Sequence, residues 1–200
     1  MNVSTSIWQC ELGFGRVGSA LRASGITRFG AAANYVKSLP YGRTFQPADP
    51  LSILRERRGT CSTKHALLAL AAEEMETFSV ELMLCFFDMN ERTTRGVGRV
   101  LKTYGLTSIP EAHCYLRIGG SPYDFTGLPQ STESPLDNIF SEEVVAPHEL
   151  LAEKATRHRA YIRTWAKQHN FDPEVVWQAR EKCIEALSTC GPTTRLRATP

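Results

Sequence analysis

A helical pattern runs over residues 61–76, where Ala, Leu and Glu dominate and neither Pro nor Gly intervenes. Ala66, Leu67, Leu68, Leu70, Ala71 and Ala72 carry apolar character nearly all the way round it, which predicts a buried helix. In the next stretch, Val80, Leu82, Leu84 and Phe86 alternate with Met83, Cys85 and Phe87. Both faces are apolar, so residues 80–88 predict a strand at the centre of a sheet, with Cys85 in the core. Residues 111–127 predict a β-hairpin, because two β-prone runs flank Gly119-Gly120, a dipeptide suited to a two-residue loop. In that register Ile118 faces Ser121 and Tyr115 faces Asp124. His113 then lies diagonal to Asp124 on the same face, whereas Cys114 points to the other.

Helices are also predicted over 31–39, before Pro40-Tyr41-Gly42, and over 50–57, with Asp49 as N-cap and Pro50 in the first turn. Residues 6–12 admit an edge strand carrying Trp8, and 142–146 a last short strand. Residues 91–105 predict a polar loop and short helix, and 128–135 a Pro-containing loop able to cover a cleft. Pro147 opens a helix to about residue 167 with Leu151, Ala155, His158, Ile162 and Trp165 as its apolar stripe. That phase makes His158 a satisfied core histidine. Asp172-Pro173 opens the last helix, with Val176, Cys183 and Leu187 on one side. Residues 1–190 form one expected domain, and 191–200 a flexible tail.

Two hundred residues suffice for a sizeable core. The 42% hydrophobic and 22% charged content, with a net charge of +2, is that of an ordinary soluble domain and gives no sign of a nucleic-acid binder. Cys10, Cys61, Cys85, Cys114, Cys183 and Cys190 form no CxxC pair, which speaks against a zinc knuckle or disulfide scaffold. No signal peptide or membrane-length apolar run is visible, so a cytoplasmic protein with reduced thiols is expected. Gly13, Gly15 and Gly18 match GxGxxG, but the first acidic residue after them is Asp49, well beyond the spacing of about 20 residues that a dinucleotide fold needs.

The candidate chemistry lies at Gly59-Thr60-Cys61. A Cys in the first turn of a helix sits where backbone N–H groups converge and the dipole favours thiolate. The competing reading is a Cys that merely packs. If the end of that helix docks on the hairpin, Cys61, His113 and Asp124 form a nucleophile, a base and an orienter. His65, one turn along from Cys61, is the poorer base and is read as a structural hydrogen-bonding residue; Lys64 shares its side. Arg55, Arg57 and Arg58 lie close in sequence to Cys61 and can either attract an acidic substrate or form a solvated basic face. A metal site from Cys61, Cys85, Cys114 and His113 is disfavoured by strand alternation.

Gly59-Thr60-Cys61, His113 and Tyr123-Asp124-Phe125-Thr126-Gly127 together resemble the nucleophile, base and carboxylate motifs of the transglutaminase-like superfamily, as a bacterial-type single-domain member, over roughly residues 35–147. The resemblance implies an α+β, papain-like (transglutaminase-core) fold. In it the buried helix that begins at Cys61 packs on an antiparallel sheet, and C-terminal helices flank that core. It implies thiol-dependent acyl transfer or hydrolysis on a peptide, protein or small amide; no cofactor or metal is expected, and composition and the lack of a long apolar run point to no nucleic-acid or membrane partner. Tyr41 is the oxyanion candidate carried over from the family, alongside the reading of Tyr41 as a turn residue packed on the core. The chain departs from the pattern after His113, where Cys114-Tyr115 replaces a small residue and Trp. A calcium-dependent crosslinker is disfavoured, because no acidic calcium loop is evident. A second reading is a scaffold that keeps the core without the chemistry.

Overall fold

Extended backbone in β1, Val80–Met89, is the spine of the sheet in the computed structural model, which describes residues 6–76 and 78–189. β2, Ile109–Ile118, pairs with it antiparallel from Val80↔Ile118 to Met89↔Ile109. β3, Ser121–Tyr123, closes the expected hairpin with Ile118 opposite Ser121, and both turn glycines have positive φ, as a two-residue turn requires. β4, Ile139–Val144, pairs on the other edge of β1, giving the order β3-β2-β1-β4. The final strand therefore begins three residues earlier than its sequence suggests. β1 is central and buried on both faces, as its apolar alternation requires.

The helices divide between two cores. α1, Arg16–Ala23, α2, Phe29–Ser38, and α4, Cys61–Glu73, pack with Leu82, Leu84, Cys114 and Leu116 of the sheet. α5, Gly98–Thr103, and α7, Pro173–Thr189, pack with Phe87, Met89 and Ile109. α6, Pro147–Gln168, touches α4, β2 and α7. α3, Ser52–Glu56, is a short helix that begins two residues after Pro50, with Asp49 Oδ1 accepting from Leu51 N–H at 3.2 Å. The architecture is α+β, with a four-stranded antiparallel sheet and seven α-helices among the described residues.

Three expectations need correction. Residues 6–12 form no strand: Ile7–Gln9 is a 3-10 turn, and Glu11 makes an isolated bridge to Arg28. Trp8 instead packs its ring against Phe29, Tyr123 and Phe125, and aromatic packing outweighs strand propensity here. The stripe of α6 keeps His158 and Ile162 of the predicted set but is completed by Leu150 and Ala166 rather than by Leu151, Ala155 and Trp165. Leu150, His158, Ile162 and Ala166 are buried, whereas Ala155 is exposed. The hairpin ladder ends at Tyr123, opposite Leu116, so Asp124 lies just past it rather than paired with Tyr115. The tail expected over 191–200, and Cys190, lie outside the described residues. Among the described residues no helix is long and apolar enough to cross a membrane.

The glycine motif has a structural use. Val17 N–H and Gly18 N–H, in the first turn of α1, donate to the two carboxylate oxygens of Glu74 at 2.8 and 2.7 Å. A Cβ at Gly15 would lie 2.3 Å from the Glu74 side chain, and one at Gly13 would lie 2.3 Å from the Glu74 carbonyl. The amides that would cradle a pyrophosphate are thus occupied by a carboxylate of the chain itself. Glu74→Ala should lower unfolding free energy by about 1–3 kcal/mol, since it leaves two helix-terminal donors unpaired. Denaturant unfolding measures this, and unchanged stability would contradict the capping role.

Candidate active site

The first turn of α4 fixes the position of Cys61. Thr60 N–H donates to Thr63 Oγ1 at 2.9 Å, and the Thr60 side chain accepts from the Thr63 backbone N–H, a reciprocal cap that makes Thr60 the N-cap and Cys61 the first residue of the helix. Gly59 sits in a crowded place, because a Cβ there would lie 3.0 Å from the side chains of both Lys64 and Thr63, which would have to shift. Gly59 also pairs with Tyr41 in a parallel bridge, with Gly42 N–H donating to the Gly59 carbonyl at 3.2 Å. Cys61 is buried, and every residue from Thr63 to Ala72 is buried with it.

The next turn of α4 ties the other site segments to this helix. Lys64, with no exposed surface, donates to the carbonyls of Leu39 at 2.6 Å and Thr126 at 2.7 Å. Burial lowers its pKa to about 8, against the opposing charges of Asp124 and Cys61. His65 Nε2 accepts from Phe125 N–H at 2.8 Å, so its Nδ1–H donates to the Cys61 carbonyl, also at 2.8 Å. Burial holds this imidazole neutral, with its pKa lowered to about 4. His65 is a structural hydrogen-bonding residue, as the sequence suggested.

His113 Nε2 meets Asp124 Oδ2 at 2.9 Å, while Asp124 Oδ1 accepts from Thr126 N–H at 2.7 Å. Gly127 completes the loop with positive φ, and a Cβ there would lie 2.1 Å from the Lys37 carbonyl. Burial disfavours imidazolium at His113, but the Asp124 charge and hydrogen bond and the Cys61 interaction outweigh it and raise its pKa to about 10. Burial likewise opposes ionisation of Asp124, and the His113 charge and hydrogen bond hold that carboxyl well below the usual range. The Cys61 thiol is held well below its ordinary value by a hydrogen bond with Cys114, then, against burial, by the Lys154 charge and the His113 interaction. The structure thus brings Cys61, His113 and Asp124 to one place.

Sequence reasoning missed two members of this site. Cys114 shares the core cluster with Cys61 while His113 packs edge-on to Phe87, and Cys61 interacts with both neighbours despite their alternation. Burial, followed by the Cys61 hydrogen bond, pushes the Cys114 thiol well up. Lys154 of α6 places Nζ 3.1 Å from Cys61 Sγ. It falls on the observed row Leu150, Lys154, His158, Ile162, and drawing that stripe in its true phase would have revealed it. The arginines beside Cys61 in sequence do other work: Arg55 pairs with Asp49, and Arg58 pairs with Glu56 and lies over Phe45.

Tyr41 is buried and lines the same cavity as Cys61, His113 and Asp124, a space of about 590 Å³ bordered by residues 93–95 and 126–135. Burial raises the pKa of its hydroxyl. Arg180 of α7 forks onto Glu111 of β2 at 2.7 and 2.9 Å and braces the cavity wall. The Tyr115 hydroxyl, the point of departure from the family pattern, donates to Glu142 on β4 and makes a tie across the sheet. Cys85 is fully buried, and its thiol is pushed up to about 12 by burial. His158, its pKa lowered to about 4 by burial, donates to the Pro110 carbonyl at 2.9 Å, a satisfied core histidine. Among the described residues no group of three or more His, Cys, Asp or Glu is arranged to hold a metal.

A depressed thiol pKa keeps thiolate present as pH falls through neutrality, until the lowered value is crossed. Iodoacetamide should therefore label Cys61 at a nearly constant rate down through neutral pH, ahead of Cys85, Cys114 and Cys183. His113→Ala should move the inflection up, while the Cys114 hydrogen bond and the Lys154 charge still hold it below the ordinary thiol value of about 8.5; an inflection near that value in the wild type would contradict the ion pair. No protein-family model, curated protein or solved structure matches the chain.

Proposed function

We propose that the protein is a thiol-dependent acyl-transfer enzyme, acting on an amide or ester with Cys61 as nucleophile, His113 as proton shuttle and Asp124 as orienter. The observation that carries this reading is the 2.9 Å bond between His113 Nε2 and Asp124, which leaves Nδ1 for a Cys61 thiol held low in pKa. The helix start, the strand and the post-hairpin carboxylate occur in the order of the transglutaminase-like superfamily, which supports a papain-like core.

In this mechanism the Cys61 thiolate attacks the carbonyl carbon, and the negative charge moves to the carbonyl oxygen. The Cys61 N–H, at the free end of α4, and the Tyr41 hydroxyl are the donors for that oxyanion. His113 gives its proton to the leaving amine or alcohol, which departs and leaves a thioester. Neutral His113 then takes a proton from water, hydroxide adds to the thioester, and Cys61 thiolate leaves as the carboxylic acid forms. Asp124 remains ionised throughout and holds the ring.

Incubation with p-nitrophenyl acetate should give a burst of nitrophenol and an acetyl group mapped to Cys61. Cys61→Ala should abolish the burst, and His113→Ala should slow it by about 10²–10⁴-fold. Acetylation elsewhere, or at Cys61 with no dependence on His113, would overturn the assignment and leave a scaffold with a papain-like arrangement.

A further inference from the structure

The thiolate of Cys61 has two cations beside it, although an ion pair with His113 needs only one. His113 has its own counter-charge in Asp124 at 2.9 Å. Lys154 has none of its own: among the described residues its Nζ makes one hydrogen bond, to Cys61 Sγ, and no ion pair with a carboxylate. Glu111, a carboxylate whose charge acts on it, is already held bidentate by Arg180. Acylation of Cys61 removes the thiolate charge. Asp124 then still balances His113, but Lys154 is left as a largely buried ammonium without a partner, a costly state unless the acyl group brings an anion with it.

The space beside Lys154 fits such a group. A cavity of about 350 Å³ opens on the side of Cys61 that Lys154 occupies, lined by Thr60 and Ser62 from the first turn of α4. Arg43, Lys154, Arg159 and Arg180 also line it, with Glu181 as its one acid among the described residues. Arg43 and Arg180 are paired with acids, and Arg159 reaches Glu174, so Lys154 is the cation free to turn from sulfur to a substrate. The dipole of α4 adds positive potential at the same end.

We propose that Lys154 makes this centre selective for acyl donors carrying a carboxylate next to the reactive carbonyl, with that carboxylate bound in the Lys154 cavity. The proposal rests on Cys61 being the activated nucleophile.

Two alkylating reagents of nearly equal size test it: iodoacetate, which is anionic, and iodoacetamide, which is neutral. In both, the thiolate forms the S–C bond and iodide leaves. A change in thiolate fraction affects both rates alike, so their ratio isolates recognition of the negative charge. Wild-type Cys61 should favour iodoacetate relative to glutathione under the same conditions. Lys154→Met should cut that preference by about tenfold, and Lys154→Arg should retain most of it. The proposal is overturned if the wild-type ratio equals that of glutathione, or if Lys154→Met leaves it unchanged while Cys61 still reacts quickly with both reagents. Slow reaction with both reagents in the wild type would overturn the nucleophile reading itself, and this proposal with it.

Discussion

Lys64 is a charged side chain with no exposed surface, and the arrangement of the site depends on where its ammonium goes. It donates to Leu39, just before Tyr41, and to Thr126, just after Asp124. One residue on, His65 grips Phe125 N–H with one ring nitrogen and the Cys61 carbonyl with the other. A single turn of α4 therefore holds Cys61, the loop that carries Asp124 and the segment that carries Tyr41 in fixed relation. Catalytic geometry requires that kind of positioning, because the reacting groups must be set before substrate arrives.

The same constraint governs the electrostatics. Cys61, His113, Asp124, Lys64 and Lys154 lie in one region of low solvent access, where each charge alone would be strongly penalised. They are tolerated together because the signs alternate. Asp124 faces His113, the Cys61 sulfur interacts with His113 and lies 3.1 Å from Lys154 Nζ, and backbone carbonyls receive Lys64. The shifts agree in direction: the thiol and the carboxyl are held down, the imidazole is held up, and His65, which has no need of charge, is held neutral. Each member maintains the ionisation of its neighbour, so the site acts as a coupled unit.

Much of this was legible in the sequence because it depends on short-range rules. The Gly119-Gly120 turn fixes the register that carries His113 near Asp124, and the all-round apolar run after Cys61 marks a buried helix with its N-terminus at a Cys. What was not legible depends on long-range placement. Lys154 comes from α6, and a stripe drawn through Leu151 and Ala155 hides it, because those residues suit an apolar stripe as well as Leu150 does. Alternation assigned Cys114 to the far side of the strand from His113, but it could not show that the end of α4 meets both residues. The spacing to Asp49 was enough to set the GxGxxG match aside, but the actual use of its glycines was hidden for a related reason: they make room for Glu74, which comes from the end of α4. The strand expected near Trp8 failed because that ring found Tyr123 and Phe125 on the hairpin side of the molecule.

The central claim is that a Cys61 thiolate and an Asp124-bound His113 imidazolium coexist at neutral pH. Side-chain NMR titration of labelled histidines tests it most directly, with buried His65 and His158 as neutral references down to about pH 4. Since the His113 pKa is raised, its proton should persist through neutrality and leave only as pH rises through about 10, and it should leave earlier in Cys61→Ala. A wild-type His113 that titrates at its ordinary value of about 6.5, unaffected by Cys61→Ala, would contradict the account.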